Sequence, residues 1–332
     1  MKNLDTKNEV DWQSELSQVL KEWNGQNNSN YVIISPDVDG LTSAAILNSI
    51  YPIKIIGIYT TTHLMLLDDH SKEDAKNALW LDHDISQEGI RCIGQHLVLH
   101  RSSDELPLRD KRSWNPNVWV QQSWEDSFKG MNGRSRDKYP YGTTHFLWDL
   151  VNRDLTPSPD QLAILAHADG TWFALDCYVI NAKIWKDIMF QHSSWVDYLL
   201  DYRNQVNFHD RHRKISNRLY EIGFRSQSRS SKSQNLPDEL KILVGRQSLT
   251  TRIMYKPKQY LSEITEGLKL IGEIIGSSPT IGTEAQNLIS GVREVSYPNR
   301  IQNFDKFMLD EKIFSHAFTD LRSVSYTVNL QL

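Results

Sequence analysis

A chain of 332 residues is long enough for two domains, each with its own core. Its hydrophobic (39%) and charged (23%) fractions are ordinary for a globular protein and exclude a fibre or a disordered chain. A net charge of -4 excludes a general basic coat for nucleic acid, and no apolar run approaches the roughly 20 residues that cross a bilayer.

The first ten residues are polar and lack the apolar core of a signal peptide. Cys92 and Cys177 are too few for a disulfide framework or a Cys-based zinc site, so a cytoplasmic location is expected. Residues 10–24 carry apolar side chains at helical spacing and stop at Asn24-Gly25. Then come a strand over 31–35, a helix over 41–50 and a strand over 53–59. A further strand over 78–81 ends at Asp82, and residues 95–100 read as another strand. This alternation predicts an α/β fold built on a parallel sheet with helices on both faces.

Residues 101–141 are polar, contain Trp and lack periodicity; they read as a long excursion that includes the turn Trp114-Asn-Pro-Asn117. A helix opens at Tyr141-Gly-Thr-Thr144, with hydroxyls placed to cap it. Ser158-Pro-Asp160 starts another helix, which runs toward His167-Ala-Asp-Gly170. Residues 181–222 are rich in helix formers and predict long connecting helices. The apolar-free, Ser-rich tract 225–234 reads as a linker. The expected organisation is a metal-binding catalytic domain over 1–180, connecting helices and linker over 181–236, and a smaller α/β substrate-binding domain over 237–332.

Acids and imidazoles recur at the ends of separate apolar runs. Asp37 and Asp39 follow Tyr31-Val-Ile-Ile34, with Gly40 turning into the helix; Asp82-His83-Asp84 ends a later strand. His100 ends the next, and Asp169 follows Ile164-Leu-Ala. In an open α/β sheet the strand ends beside helix N-termini are where ligands bind, and clustered carboxylates suit hard divalent cations. His83 and Asp84 read as partners that orient a ligand, and His167 as either such a partner or a helix cap. Arg134, Arg136 and Lys138, with the backbone N–H groups of Thr143 and Thr144, read either as a candidate phosphate clamp or as a solvated loop. The basic stretch Arg203, Arg211, His212, Arg213, Lys214 and Arg218 reads either as a nucleic-acid groove or as a solvated face.

Over residues 31–175 this pattern resembles the DHH phosphoesterase superfamily, and within it the RecJ-like branch. Ser35-Pro-Asp-Val-Asp-Gly-Leu-Thr-Ser-Ala44 is similar to the first motif, and Leu81-Asp-His-Asp-Ile-Ser86 to the second. His100 and Trp114-Asn-Pro-Asn117 stand where the third motif and its trailing Asn-Pro are expected. Leu165-Ala-His-Ala-Asp169 is similar to the fourth. An alternative assignment takes Asp82-His83-Asp84 as the third motif. The chain departs from the family in three ways. Ser35 stands where the first motif has a ligand, and the namesake triplet reads Leu99-His100-Arg101. Residues 237–332 also lack a Gly-Gly-x-His signature.

The resemblance implies a phosphodiesterase that cuts single-stranded nucleic acid or short oligonucleotides with Mn²⁺ or Mg²⁺. Two ions are implied, or one given the departures. Asp37, Asp82 and Ser35 would hold the first, and Asp39, Asp82, His100 and Asp169 the second. Arg101 would grip a phosphate bidentately. Hydrolysis of a cyclic or linear dinucleotide, or an inactive nucleic-acid-binding scaffold, are the alternatives. A protein partner or a homodimer is compatible with either.

Overall fold

The computed structural model describes residues 11–26, 30–96, 110–122, 139–201, 204, 207–224, 254, 256–296, 307, 313–318 and 324–332. The chain opens with helix α1 (Trp12–Gln26), whose Trp12, Leu16, Leu20 and Trp23 fall on one buried face. Next come β1 (Tyr31–Ile34), α2 (Val38–Ile50), β2 (Lys54–Tyr59), β3 (His63–Leu67), the short α3 (Lys72–Asn77), β4 (Leu79–Leu81) and β5 (Arg91–Ile93). Helices α4 (Asn117–Val120), α5 (Thr143–Asn152), α6 (Pro159–His167), α7 (Thr171–Cys177), α8 (Val179–Met189), α9 (Trp195–Leu200) and α10 (Phe208–Ile222) follow. The last described part holds α11 (Pro257–Ile275), β6 (Thr280–Ile281), β7 (Ala285–Ser290), β8 (Val292–Ser296), β9 (Ile313–Phe318) and β10 (Val324–Val328).

The main sheet has the strand order β5-β4-β1-β2-β3-β7, with β6 paired to β2. Strands β5, β4, β1 and β2 run parallel, whereas β3 is antiparallel to both β2 and β7. The α/β reading therefore holds, but the sheet is mixed rather than parallel. The reason is local: β2 and β3 are joined by a short turn through Thr60 and Thr61, which allows only antiparallel pairing. Strand β1 lies in the interior of the sheet, which is why Val32, Ile33 and Ile34 form an unbroken apolar run buried on both sides.

The two faces are covered differently. On one, α1, α2, α5, α6 and α11 pack in a core with Val32, Ile34, Ile55, Leu79 and Leu81. On the other, Ile33, Ile56, Tyr59 and Trp80 meet Ala75 and Ala78 around α3, together with Phe314 of β9 and Leu330 near the C-terminus. Helices thus lie on both faces, and strand β9 covers part of the second beside α3. Strands β8, β10 and β9 form a separate antiparallel sheet.

The segment expected to form a smaller domain from residue 237 contributes β6 and β7 to the main sheet, and its α11 packs against α2. Where one or two long connecting helices are expected over 181–222, α8, α9 and α10 have 11, 6 and 15 residues. The Ser-rich tract 225–234 lies outside the described residues, as does the span 97–100 of the strand expected at 95–100. The strand observed there ends at Ile93. Among the described residues, no helix is long and apolar enough to cross a membrane.

Helix α6 starts as its sequence predicts. Ser158 Oγ accepts the Gln161 N–H (3.3 Å), Gln161 Oε1 accepts the Ser158 N–H (2.8 Å), and Pro159 occupies the first turn. Ser158→Ala is expected to lower stability by about 1 kcal/mol. An unchanged urea midpoint would show that the cap contributes nothing.

Candidate metal centre

Strands β1, β4 and β5 are adjacent and parallel, so their carboxyl ends lie side by side. Beyond β1 come Ser35 and Asp37, beyond β4 comes Asp82, and beyond β5 come Gly94 and Gln95. Asp82 has a left-handed backbone (φ 61°), a conformation that Asp and Asn tolerate better than other side chains. The N-termini of α2 and α5 face the same spot.

Asp37 is the N-cap of α2: its Oδ1 accepts the Gly40 N–H (3.1 Å) and lies 2.8 Å from Ser35 Oγ. Asp39, in the first turn of α2, directs its carboxylate to the start of α5 instead. Its Oδ2 accepts the Thr143 N–H at 2.9 Å and its Oδ1 the Thr144 N–H at 2.8 Å. Gly142, the N-cap of α5, has no side chain to cap that helix, so Asp39 supplies the capping carboxylate from another element.

Asp82 is 3% exposed and Asp39 1%. Asp82 Oδ2 lies 2.5 Å from Ser35 Oγ; its Oδ1 is 3.2 Å from Gln95 Nε2 and 3.4 Å from Thr143 Oγ1. Ser35 has one hydroxyl proton and stands between two carboxylates, so its second contact requires a proton on the acid.

Burial pushes the Asp39 carboxyl up to about 8, with the Asp169 and Asp37 charges adding to the effect. Burial also raises Asp82 well above the usual carboxylate range, helped by Asp39, Asp37 and Asp169. Asp169 thus acts on both acids, from a tight turn after α6 where its φ is 47°. The charges acting most strongly on Asp39 and Asp82 are themselves carboxylates. A site of this kind favours whatever neutralises it, whether protons or a cation.

The structure therefore brings together Asp37, Asp39, Asp82 and Asp169 from three separate stretches of sequence. His100, Arg101, Arg134, Arg136 and Lys138 lie outside the described residues. Thr143 and Thr144 are at the centre, but their N–H groups are directed to Asp39 rather than to an open anion site. The His83 ring packs edge-on to Tyr59 and Trp80. Asp84 accepts from Asn115 Nδ2 (2.9 Å) and the His96 N–H (2.8 Å), fixing the loop after β5. His167 stacks on His212, with ring centroids 4.1 Å apart. In the basic stretch, Arg211 pairs with Asp160, Arg213 with Asp210 and Arg218 with Glu273, which fits the solvated-face reading for these three.

Among the described residues, no group of three or more His, Cys, Asp or Glu side chains is placed to hold a metal ion. Comparison with protein-family models, curated proteins and solved structures found no match. The chemistry rests on the site alone.

Three residues that the sequence pattern does not single out belong to the site. Gln95 is fully buried, and its Nε2 reaches Asp39 Oδ2 (3.1 Å) as well as Asp82 Oδ1. His96 Nδ1 lies 3.9 Å from both Asp82 Oδ1 and Asp84 Oδ2. The available signal is the short apolar Cys92-Ile93 followed by Gly-Gln-His, where a polar triplet ends a strand. His145 is the third. Its Nδ1 accepts the Gly142 N–H (2.9 Å), and its Nε2 lies 3.0 Å from the Leu165 carbonyl, joining the start of α5 to α6. Burial lowers it to about 4, so it is neutral at pH 7 and holds that geometry without adding charge.

Proposed function

We propose that this protein is a divalent-metal-dependent phosphodiesterase acting on single-stranded nucleic acid or short oligonucleotides, with one cation held by Asp39 and Asp82. The observation that carries this reading is the pair of buried carboxylates, facing each other across the ends of adjacent strands and pressed further by Asp37 and Asp169.

The donors fit a hard cation. They are two carboxylates, the Ser35 and Thr143 hydroxyls and the Gln95 carboxamide, with no thiolate among them. Two carboxylates without a third charged ligand match the manner of Mg²⁺, which keeps several waters and takes its remaining ligands from substrate phosphate. On this reading the third motif is Gly94-Gln95-His96, and the two-ion centre is reduced to one ion.

A bound Mn²⁺ or Mg²⁺ supplies hydroxide near neutral pH and neutralises phosphoryl oxygens. The protein's part is to hold both acids aligned. The α5 N-terminus orients Asp39 through two backbone N–H groups, Ser35 and Thr143 orient Asp82, and His145 anchors the start of α5.

A second reading, a nucleic-acid-binding scaffold without chemistry, is favoured by one observation: the Gln95 amide already satisfies both acids. Incubation with Mn²⁺ and 5′-labelled single-stranded DNA, a linear dinucleotide or a cyclic dinucleotide separates the two. Cleavage of the DNA by wild type and not by Asp82→Asn supports the nuclease. Cleavage of a dinucleotide alone changes the substrate class, and DNA binding with no cleavage anywhere supports the scaffold.

A further inference from the structure

The Gln95 side chain is used at both ends. Its Nε2 stands 3.1 Å from Asp39 Oδ2 and 3.2 Å from Asp82 Oδ1, and its Oε1 accepts the Thr143 hydroxyl. An amide nitrogen has two protons, so it can serve both acids at once. A cation shared by Asp39 and Asp82 needs the same space between the same two oxygens. An N–H group facing that cation is repelled, whereas a carbonyl oxygen is a ligand.

Turning the carboxamide end for end would present Oε1 to the acids and Nε2 to Thr143 Oγ1. The Thr143 hydroxyl, already 3.4 Å from Asp82 Oδ1, can then give its proton to Asp82. Asp82, Thr143 and Gln95 each keep a partner in both arrangements. Glu at this position would add a third negative charge to the metal-free site. Leu would leave both acids without their shared donor.

We propose that Gln95 is a reversible occupant of the cation position: its amide nitrogen bridges Asp39 and Asp82 without metal, and its carbonyl oxygen becomes a ligand when the ion binds. This inference rests on the reading that Asp39 and Asp82 take a divalent cation. The reversal pivots on Thr143. A site made this way folds without metal and still accepts it.

The test is made on the full chain. In ¹⁵N-labelled wild-type protein, the Gln95 side-chain amide resonance is identified by its loss in Gln95→Leu and followed during titration with Mg²⁺. It is expected to shift as its donors leave the acids. In parallel, Mn²⁺ binding is measured by calorimetry. Gln95→Glu is expected to bind about tenfold more tightly, from the added ligand charge. Gln95→Leu is expected to bind about tenfold more weakly, from the lost neutral oxygen.

Should wild type bind Mg²⁺ while the Gln95 resonance stays fixed, Gln95 is not a ligand and the inference falls, leaving the metal site intact. Unchanged Mn²⁺ affinity in Gln95→Leu overturns it in the same way. Failure of wild type to bind either ion at millimolar concentration overturns the metal reading itself, and this inference with it.

Discussion

Asp82→Asn is expected to be more stable than wild type in EDTA at pH 8 and to lose Mn²⁺ binding. Asn matches the shape of Asp and tolerates the left-handed backbone of residue 82, so the substitution removes charge with little added strain. In the metal-free protein Asp82 and Asp39 are both buried and both raised by that burial, and the Asp39 charge raises Asp82 further. Removing one relieves a charge burial that no side-chain cation among the described residues offsets strongly. A gain of about 1–3 kcal/mol is expected, the range seen when buried charges give way to neutral groups.

The pH dependence supplies a second readout. The Asp39 pKa is raised to about 8 in the folded protein, from an ordinary value of 3.8. The folded state therefore keeps a proton that the unfolded chain has lost. The resulting stability is fully present below pH 4 and falls as pH rises through 8, by at most about 1.4 kcal/mol per pH unit for one group. His145 and His167 act in the opposite sense, since both are lowered from 6.5 to about 4 when folded. Their effect is complete by pH 6.5, which leaves pH 6.5–8 as the window for the acids.

Urea unfolding in EDTA should show wild type losing stability across that window. Asp82→Asn should lose less, because one of the two carboxyls raised by burial is then gone. With Mn²⁺ the order should reverse, since only wild type binds the ion. If Asp82→Asn is less stable than wild type in EDTA at pH 8, the two acids do not oppose each other in the folded protein.

Gly142→Ala should disable the centre without replacing a candidate ligand. The Gly142 backbone (φ −85°, ψ 171°) is open to any residue, so the obstacle is space. An added Cβ would lie 2.2 Å from Asp39 Oδ2 and 2.7 Å from its Cγ. Asp39 cannot easily move aside, because Thr143, Thr144 and Gln95 all donate to it. The expected cost is about 1–3 kcal/mol from overpacking. Any Mn²⁺-dependent cleavage should fall by about 10²-fold, as small displacements at a reacting centre do. Gly25→Ala, where nothing lies within 4 Å of the added atom, is the matched control and should be neutral or slightly stabilising. Wild-type stability and cleavage in Gly142→Ala would show that Asp39 is held less rigidly than these contacts imply.

The parts of this protein legible in its sequence are those written in neighbouring residues. Tyr31-Val-Ile-Ile34 followed by Asp37, Asp39 and Gly40 marks a buried strand turning into a helix with acids at the turn, and the structure has that arrangement. The helix starts at Thr143 and at Ser158-Pro159 are equally readable, because capping is settled within four residues. The short strand before Asp82 is also visible, since a short apolar run with an aromatic, bounded by polar residues, carries its own signal.

What depends on contacts between distant segments is not legible. The pairing of β3 with β7 and of β2 with β6 joins the end of the chain to the main sheet, and strand periodicity says nothing about which strand is the neighbour. Asp39 looks like a residue of its own helix turn, yet it caps a helix 104 positions away. Gln95 is hidden for a further reason. Its importance comes from a one-strand register, since β5 ends at Ile93 and not further along, and a shift of a few residues would place other side chains at the acids. Local propensity writes the elements and their ends into the chain. Which carboxylates share a buried space, and which amide stands between them, follows from how the sheet is ordered and packed.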